Sequence, residues 1–194
     1  MGKVLHGLDM FHIAEVLSDD KTAAEFETPE DVPGAVNVSV APNTSSNTFY
    51  ADNGAYEIFS NMGDIDVDVE VADLPLALQK KIFGHKESGG VQFGNINDRV
   101  AKLALGFRAK TSTGGYRYYW FLKGNPELLP IEHQTDEDNI TPQTAKLKLK
   151  FAPLQFNGNW KAQAEDGEVF KQGSKWFTKV VYDEASIPIA PTTP

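Results

Sequence analysis

The chain has 194 residues, enough for one domain with a hydrophobic core, and its hydrophobic (41%) and charged (23%) fractions are those of a globular protein. Its formal net charge of −9 argues against non-specific binding to nucleic acid or to anionic membranes. The absence of cysteine excludes disulfides and thiolate metal sites. No apolar run approaches the roughly 18 residues that a membrane helix requires. Because the first residues lack the apolar core and cleavage site of a signal peptide, we expect production in a cytoplasm.

The first third of the chain predicts two strands separated by an acidic loop. Residues 8–17 indicate a strand, and residues 18–34 are acidic and rich in turn-forming residues. Val36, Val38 and Val40 alternate with polar residues, which predicts a second strand.

A long, extended hairpin loop with several aromatic residues is predicted next, at residues 43–61. It contains a turn signal at Asp52-Asn53-Gly54 and a short β-like segment before it. Large aromatic side chains on a loop are usually covered by a partner. The loop carries Phe49, Tyr50, Tyr56 and Phe59.

A row of carboxylates follows in the segment GDIDVDVEVADLP, residues 63–75. Period-two alternation predicts a strand with the acids on one face and branched apolar residues on the other. The acidic face is Asp64, Asp66, Asp68 and Glu70, and the apolar face is Ile65, Val67, Val69 and Val71. A row of like charges is unfavourable unless another group compensates it.

The clearest helix signal covers about residues 74–84. Asp73 is the predicted N-cap, Pro75 fits the first turn, and Gly84 fits the C-terminal end. Leu74, Leu78 and Ile82 would form its buried side.

The remaining segments predict further strands and two appendages. Residues 90–94, 99–110, 115–124, 144–153, 157–170 and 174–185 are the predicted strands, with a short hairpin turn at Thr113-Gly114-Gly115. The segment TAKLKLKFAP places Lys146, Lys148 and Lys150 on one face. Residues 125–143 form a predicted connector loop, and the proline-rich residues 186–194 form a predicted extended arm.

Together these elements predict a mainly β fold: an antiparallel β-sandwich or partly open barrel with one flanking helix. We expect one domain over residues 1–185, followed by the arm.

Known catalytic and metal-binding motifs are missing from the sequence. It has no P-loop, no GxGxxG and no GxSxG, and its four histidines show no helical i, i+4 pair. The acid row begins like a calcium loop, but an EF-hand requires Gly and Glu where this chain has Val69 and Pro75. We therefore predict no catalytic site, no metal and no cofactor.

Residues 34–85 resemble a known family, the phi13-type major tail proteins of long, flexible-tailed phages of Gram-positive bacteria. The hairpin ALGFRAKTSTGGYRYYWFLKG and the late segment around Trp176-Phe177 are also similar, so that the resemblance covers nearly the whole chain. It implies a tail tube subunit of a siphovirus virion, which assembles in the host cytoplasm into hexameric rings that stack around a DNA-conducting channel.

This resemblance implies contacts with further copies of the chain and with other tail proteins at the tube ends. The aromatic loop becomes a candidate contact between rings, and the arm and the connector become candidate contacts with neighbouring subunits. Genomic DNA would pass through the tube without specific binding.

The acidic row has three interpretations from the sequence. It can line the channel and repel DNA, it can pair with the Lys146, Lys148 and Lys150 row and fix strand register, or it can lie on the exterior. A rival function is a monomeric β-sandwich that binds carbohydrate or a host surface through exposed aromatic residues such as Tyr118 and Trp160.

Overall fold

The computed structural model describes residues 3–127 and 144–188, and these residues form eleven strands and one α-helix. A single 3-10 turn also occurs, at Gly173–Lys175. The strands and the helix, in chain order, are β1 (Leu5–Asp19), β2 (Ala24–Phe26), β3 (Glu30–Asp31), β4 (Ala35–Ala51), β5 (Gly54–Val71), α1 (Leu76–Phe83), β6 (Lys86–Ser88), β7 (Val91–Phe93), β8 (Leu103–Thr111), β9 (Tyr116–Pro126), β10 (Ala145–Phe151) and β11 (Lys161–Glu165).

Nine of the strands form one antiparallel sheet with the order β2-β1-β8-β9-β10-β5-β4. β9 is shared: its residues Arg117–Phe121 pair with β11, whereas its last residues, Gly124–Pro126, pair with β10. β3 pairs with β1, and β6 and β7 form a separate two-stranded sheet. The described sheet does not close into a barrel. The predicted mainly β, antiparallel fold with one helix is confirmed.

The middle of the sheet, at β1, β8 and β9, is buried on both faces. On one face, the apolar sides of β5, β8 and β10 pack with α1 around Ile65, Leu105 and Phe151. On the other face, Tyr118 and Trp120 pack under the C-terminal segment, which contributes Trp176 and Val180. Burial on both sides explains why β9 is bulky on both faces.

Two glycines allow large rings to lie against the sheet. A Cβ on Gly106 would lie 2.8 Å from the Trp120 ring, and one on Gly124 would lie 2.6 Å from the Phe151 ring. Only a residue without a side chain fits at such a close approach.

The helix has the predicted position but not the predicted start. Its N-cap residue is Pro75, with φ −54° and ψ 145°, and no side chain caps the first turn, so the prediction for Asp73 is wrong. Gly84 ends the helix in the left-handed conformation (φ 72°), as predicted. Leu78 and Ile82 are buried, and Leu74 is buried just before the helix.

The hairpin predicted over residues 43–61 is present, but it is regular strand and not loop: β4 and β5 continue through these residues and turn at Asp52 and Asn53, both at positive φ. One further local prediction is wrong. Residues 174–185 are not a strand but a 3-10 turn followed by irregular chain. Trp176, Val180 and Val181 are all buried there, and their spacing does not match the period of two that a strand requires.

Candidate functional site

The acidic row on β5 lies directly beside the lysine row on β10. In the antiparallel register of these strands, Lys146 is opposite Glu70, Lys148 is opposite Asp68, and Lys150 is opposite Asp66. We call these residues, together with Asp64, the charge ladder. Residues directly opposite each other project to the same face of a sheet. The ladder is therefore a mixed row of carboxylates and ammonium groups on one exposed face.

The contacts within the ladder are loose. Lys148 Nζ lies 3.9 Å from Asp68 Oδ1, and both side chains are about three-fifths exposed (62% and 59%). Asp66 accepts a hydrogen bond from Asn43 Nδ2 at 2.8 Å, and Glu70 accepts one from the Thr144 hydroxyl. Each of these three carboxylates therefore has a partner.

Lys150 also contacts Glu127, the residue that follows β9. Its Nζ lies 3.3 Å from Glu127 Oε1. The hydrogen bond with Glu127 raises the pKa of Lys150 above its usual value, and the nearby Asp66 and Asp64 charges act in the same direction. The ammonium group is therefore charged at neutral pH, where the carboxylates are also ionised.

The opposite face of the same strands is core. Ile65, Val67, Val69 and Val71 of β5 and Leu147, Leu149 and Phe151 of β10 are each at most 3% exposed. The predicted division of β5 into an acidic face and a buried apolar face is therefore the observed one. Burial of these residues fixes which way the ladder points, because a one-residue slip would exchange the two faces.

On the N-terminal side of Gly63, β5 and its partner β4 extend away from the body of the protein as a hairpin. We call residues 43–62 the distal hairpin. All four aromatic residues predicted as a contact loop lie on it and are more than half exposed: Phe49 (55%), Tyr50 (70%), Tyr56 (71%) and Phe59 (51%). Ile58 and Met62 are exposed beside them.

The register shows which side chains of the distal hairpin share a face. Phe49 is opposite Glu57, and Asn47 is opposite Phe59, so these four lie on one face. Ser46, Thr48, Ile58 and Ser60 lie on the other. An irregularity in the pairing next to Tyr50 leaves Tyr56 without a residue directly opposite, and its ring meets Phe49 edge to face at 6.3 Å.

A second exposed apolar face was not anticipated from the sequence. On the small β6-β7 sheet, Lys86 is opposite Phe93 and Ser88 is opposite Val91, so that these four residues share one face, the β6-β7 face. Glu87 and Gln92 lie on the other face and contact Lys80 and the Leu76 carbonyl of α1. Val91 and Phe93 are both more than half exposed. The available signal was the alternating V-Q-F after Gly89-Gly90.

The sequence also gave no signal for a buried ion pair that joins three segments. Lys123 Nζ donates to Asp19 Oδ2 at 2.5 Å, and the backbone N–H groups of Gln155 and Phe156 donate to the same carboxylate. The side chains are 11% and 4% exposed. Burial opposes ionisation of Asp19, but the hydrogen bonds from Lys123, Gln155 and Phe156 outweigh it and lower the pKa of Asp19.

The aromatic residues of the rival function do not form an exposed platform. Tyr118 is 3% exposed, its hydroxyl donates to Asp166 Oδ2, and burial raises its pKa to about 12. Trp160 is half-buried against the core. A binding surface built on this pair is therefore not present.

Parts of the two predicted appendages lie outside the described residues, namely residues 128–143 of the connector and 189–194 of the arm. Ser186, the first residue of the predicted arm, is buried and accepts hydrogen bonds from the N–H groups of Tyr182 and Asp183.

Across residues 3–127 and 144–188, no three His, Asp or Glu side chains gather as a metal site requires. In the same part of the chain, no helix is both long and apolar enough to cross a bilayer.

These features define a mainly β protein with a packed core, one charged strand pair and a hairpin whose aromatic side chains are exposed. The chain belongs to the phage tail tube protein family, whose sequence profile matches residues 36–185. It is a structural subunit of the tail tube and a component of the virion tail. A search of curated proteins found no match.

Proposed function

We propose that the chain forms hexameric rings that stack into the tail tube of a siphovirus and that the channel of this tube conducts DNA during ejection. The observation that carries this proposal is the distal hairpin, which holds four aromatic side chains in solvent. Patches of this kind on a folded chain mark interaction sites. Membership of the phage tail tube protein family also supports a role in a tube.

The physical argument is that the hairpin gains its stability from neighbours. A two-stranded hairpin without further strands or a packed face is marginally stable in water. Each aromatic side chain can bury about 150–250 Å² in an interface, and aromatic anchors usually dominate interface energetics. The hairpin is therefore the proposed contact between successive rings.

A contact of this kind joins one surface of the first copy of the chain to a different surface of the second copy. Such heterologous contacts generate closed rings when the rotation closes and filaments when it does not. A stacked tube uses both. Other tail proteins are the proposed partners at the two ends, where the repeating contact stops, and the host cytoplasm is the proposed place of assembly.

For the charge ladder we propose two linked roles. The register of β5 and β10 supports electrostatic pairing, which stabilises this strand alignment. We further propose that the ladder lines the channel. Its four carboxylates exceed its three lysines, so it has no excess of basic groups to hold the phosphate backbone.

Electron microscopy of the purified full-length protein tests the main proposal. Tubes or stacked rings with a central channel are the expected result. A protein that remains monomeric at high concentration under every condition that promotes assembly would contradict it and favour a monomeric binding module.

Charge reversal separates the two roles of the ladder. If channel lining dominates, Asp66→Lys with Asp68→Lys should leave tubes intact and impair DNA ejection by the phage. If pairing dominates, the same variant should fail to form tubes, and adding Lys148→Glu with Lys150→Glu, the residues opposite the two changed positions, should restore them. Normal tubes with normal ejection would contradict both roles.

A further inference from the structure

We propose that the distal hairpin of one copy docks on the β6-β7 face of a second copy, with Phe49 and Phe59 against Val91 and Phe93 and with Glu57 beside Lys86. This inference rests on the proposed function and adds the receiving surface, which family membership does not specify. The occupant is a second copy of this chain.

The first argument is composition. The hairpin face centred on Glu57 carries Phe49 and Phe59, both more than half exposed. The β6-β7 face centred on Lys86 carries Val91 and Phe93, exposed to a similar degree (53% and 56%). Each face thus combines two exposed apolar side chains with one charge, and the two charges are opposite.

The second argument is the distribution of charge around each face. Residues 43–62 contain Asp52 and Glu57 and no basic residue, a formal charge of −2. Residues 76–102 carry a formal charge of +3 in a chain whose net charge is −9, and one of their lysines, Lys81, is paired with Glu27 and Glu30 from outside this segment. The basic residues there are Lys80, Lys81, Lys86, Arg99 and Lys102, and the acidic residues are Glu87 and Asp98. Such complementarity favours one pairing of surfaces and one orientation over others.

The third argument is topology. β5 begins at the hairpin turn and ends at Val71, and α1 follows after four residues. The β6-β7 sheet is attached to α1, because Gln92 donates to the Leu76 carbonyl and Lys80 Nζ lies 3.1 Å from Glu87. At about 3.3 Å per residue, a straight strand of this length would span roughly 55 Å. The two faces therefore lie towards opposite ends of β5, as a head-to-tail contact requires.

A cross-linking experiment tests the contact, because the chain has no cysteine of its own. Asn47→Cys lies on the docking face of the hairpin, and Ser88→Cys lies on the β6-β7 face; both positions are exposed. Tubes of the double variant are treated with a short bis-maleimide and separated in denaturing gels. We expect a series of covalently linked dimers and higher multimers. Ser46→Cys with Ser88→Cys is the matched control, since Ser46 lies on the other face of the hairpin. This control should give few cross-linked multimers.

Charge exchange provides the second measurement. Glu57→Lys and Lys86→Glu should each raise the concentration needed for assembly by about tenfold or more, because each places like charges in contact. The combined variant should assemble at nearly the original concentration. Glu57→Lys with Lys161→Glu is the control. Its assembly should not recover, since Lys161 lies on β11 and not on the β6-β7 face.

The outcomes separate this inference from the proposed function. The docking site would be overturned if tubes gave no cross-linked multimers through Cys at 47 and 88, or gave more of them through Cys at 46 and 88. The tube function would still stand. Failure of the Glu57-Lys86 exchange to restore assembly would also overturn it and point to another occupant of the β6-β7 face. A chain that forms no rings or tubes without substitutions would contradict the proposed function itself.

Discussion

The two halves of β5 both pair with β4, on either side of an irregularity between Pro42 and Thr44, but they lie in different surroundings. From Ile65 to Val71, every second side chain is buried in the core. From Gly54 to Gly63, every residue is exposed, although backbone pairing with β4 continues. The difference shows that backbone hydrogen bonds extend a strand well beyond the core, whereas side-chain burial determines which part stabilises the monomer. In this account the body folds the subunit, and the distal hairpin joins subunits.

The largest effect on folding is expected at Trp120 in the body. Trp120 is fully buried, and its Nε1 donates to the Trp176 carbonyl at 3.3 Å. Trp120→Ala should lower the free energy of unfolding of the monomer by about 3–5 kcal/mol, because it leaves a large cavity. Denaturant unfolding measures this loss. An effect below about 1 kcal/mol would show that the packing of Trp120 under the C-terminal segment does not stabilise the body.

The buried ion pair should give the next largest effect. Asp19→Ala removes the acceptor for Lys123 and for two backbone N–H groups, and it should lower the free energy of unfolding by about 2–3 kcal/mol. Glu168→Ala, at an exposed carboxylate, is the control and should change it little.

The same pair predicts a pH dependence. Because the pKa of Asp19 is lower in the folded state than its usual 3.8, its contribution is present above that value and is lost as pH falls through the lower, folded pKa. The stability difference between wild type and Asp19→Ala should therefore shrink in thermal unfolding at pH below about 4. A difference that stays constant down to the lowest pH would contradict this assignment.

A smaller effect is expected at the charge ladder. Lys148→Glu places two carboxylates opposite each other and should destabilise the monomer by about 0.2–1 kcal/mol, and adding Asp68→Lys should recover most of the loss. Both side chains are exposed, so added salt should reduce the effect. Equal stabilities for the single and the double variant would show that the pair does not contribute to register.

The smallest effect on folding is expected in the distal hairpin. Tyr56→Ala and Phe59→Ala remove aromatic side chains as Trp120→Ala does, yet they should change the free energy of unfolding of the monomer by less than about 0.5 kcal/mol. The same variants should impair assembly, which sedimentation measures. A large loss of monomer stability would show that the hairpin packs on its own body.

The sequence predicted the part of the fold in which side chains alternate. On β5 and β10, the branched apolar residues had to face a core, so the charged faces followed. Gly84 ended the helix because the left-handed conformation there favours glycine. What the sequence left open was the neighbour of β5, since strand pairing between residues about 80 positions apart in the chain leaves no local signal.

The regular strand pairing of the distal hairpin, which the sequence predicted only as a hairpin loop, was left open for a related reason. Residues 42–48, PNTSSNT, have a composition typical of loops, and their strand is held by backbone pairing with β5 and not by an apolar face. The C-terminal segment shows the reverse error. Its β-branched and aromatic residues are typical of a strand, but Trp176, Val180 and Val181 cover the sheet face around Trp120 as an irregular segment.

Hydrogen exchange, compared between the monomer and the assembled protein, tests the central claim most directly. We expect the amides of β8 and β9 to be protected in both states, and those of residues 43–62 to exchange quickly in the monomer and slowly in the assembly. Equal protection of the distal hairpin in both states would contradict the division between a folding body and a joining hairpin.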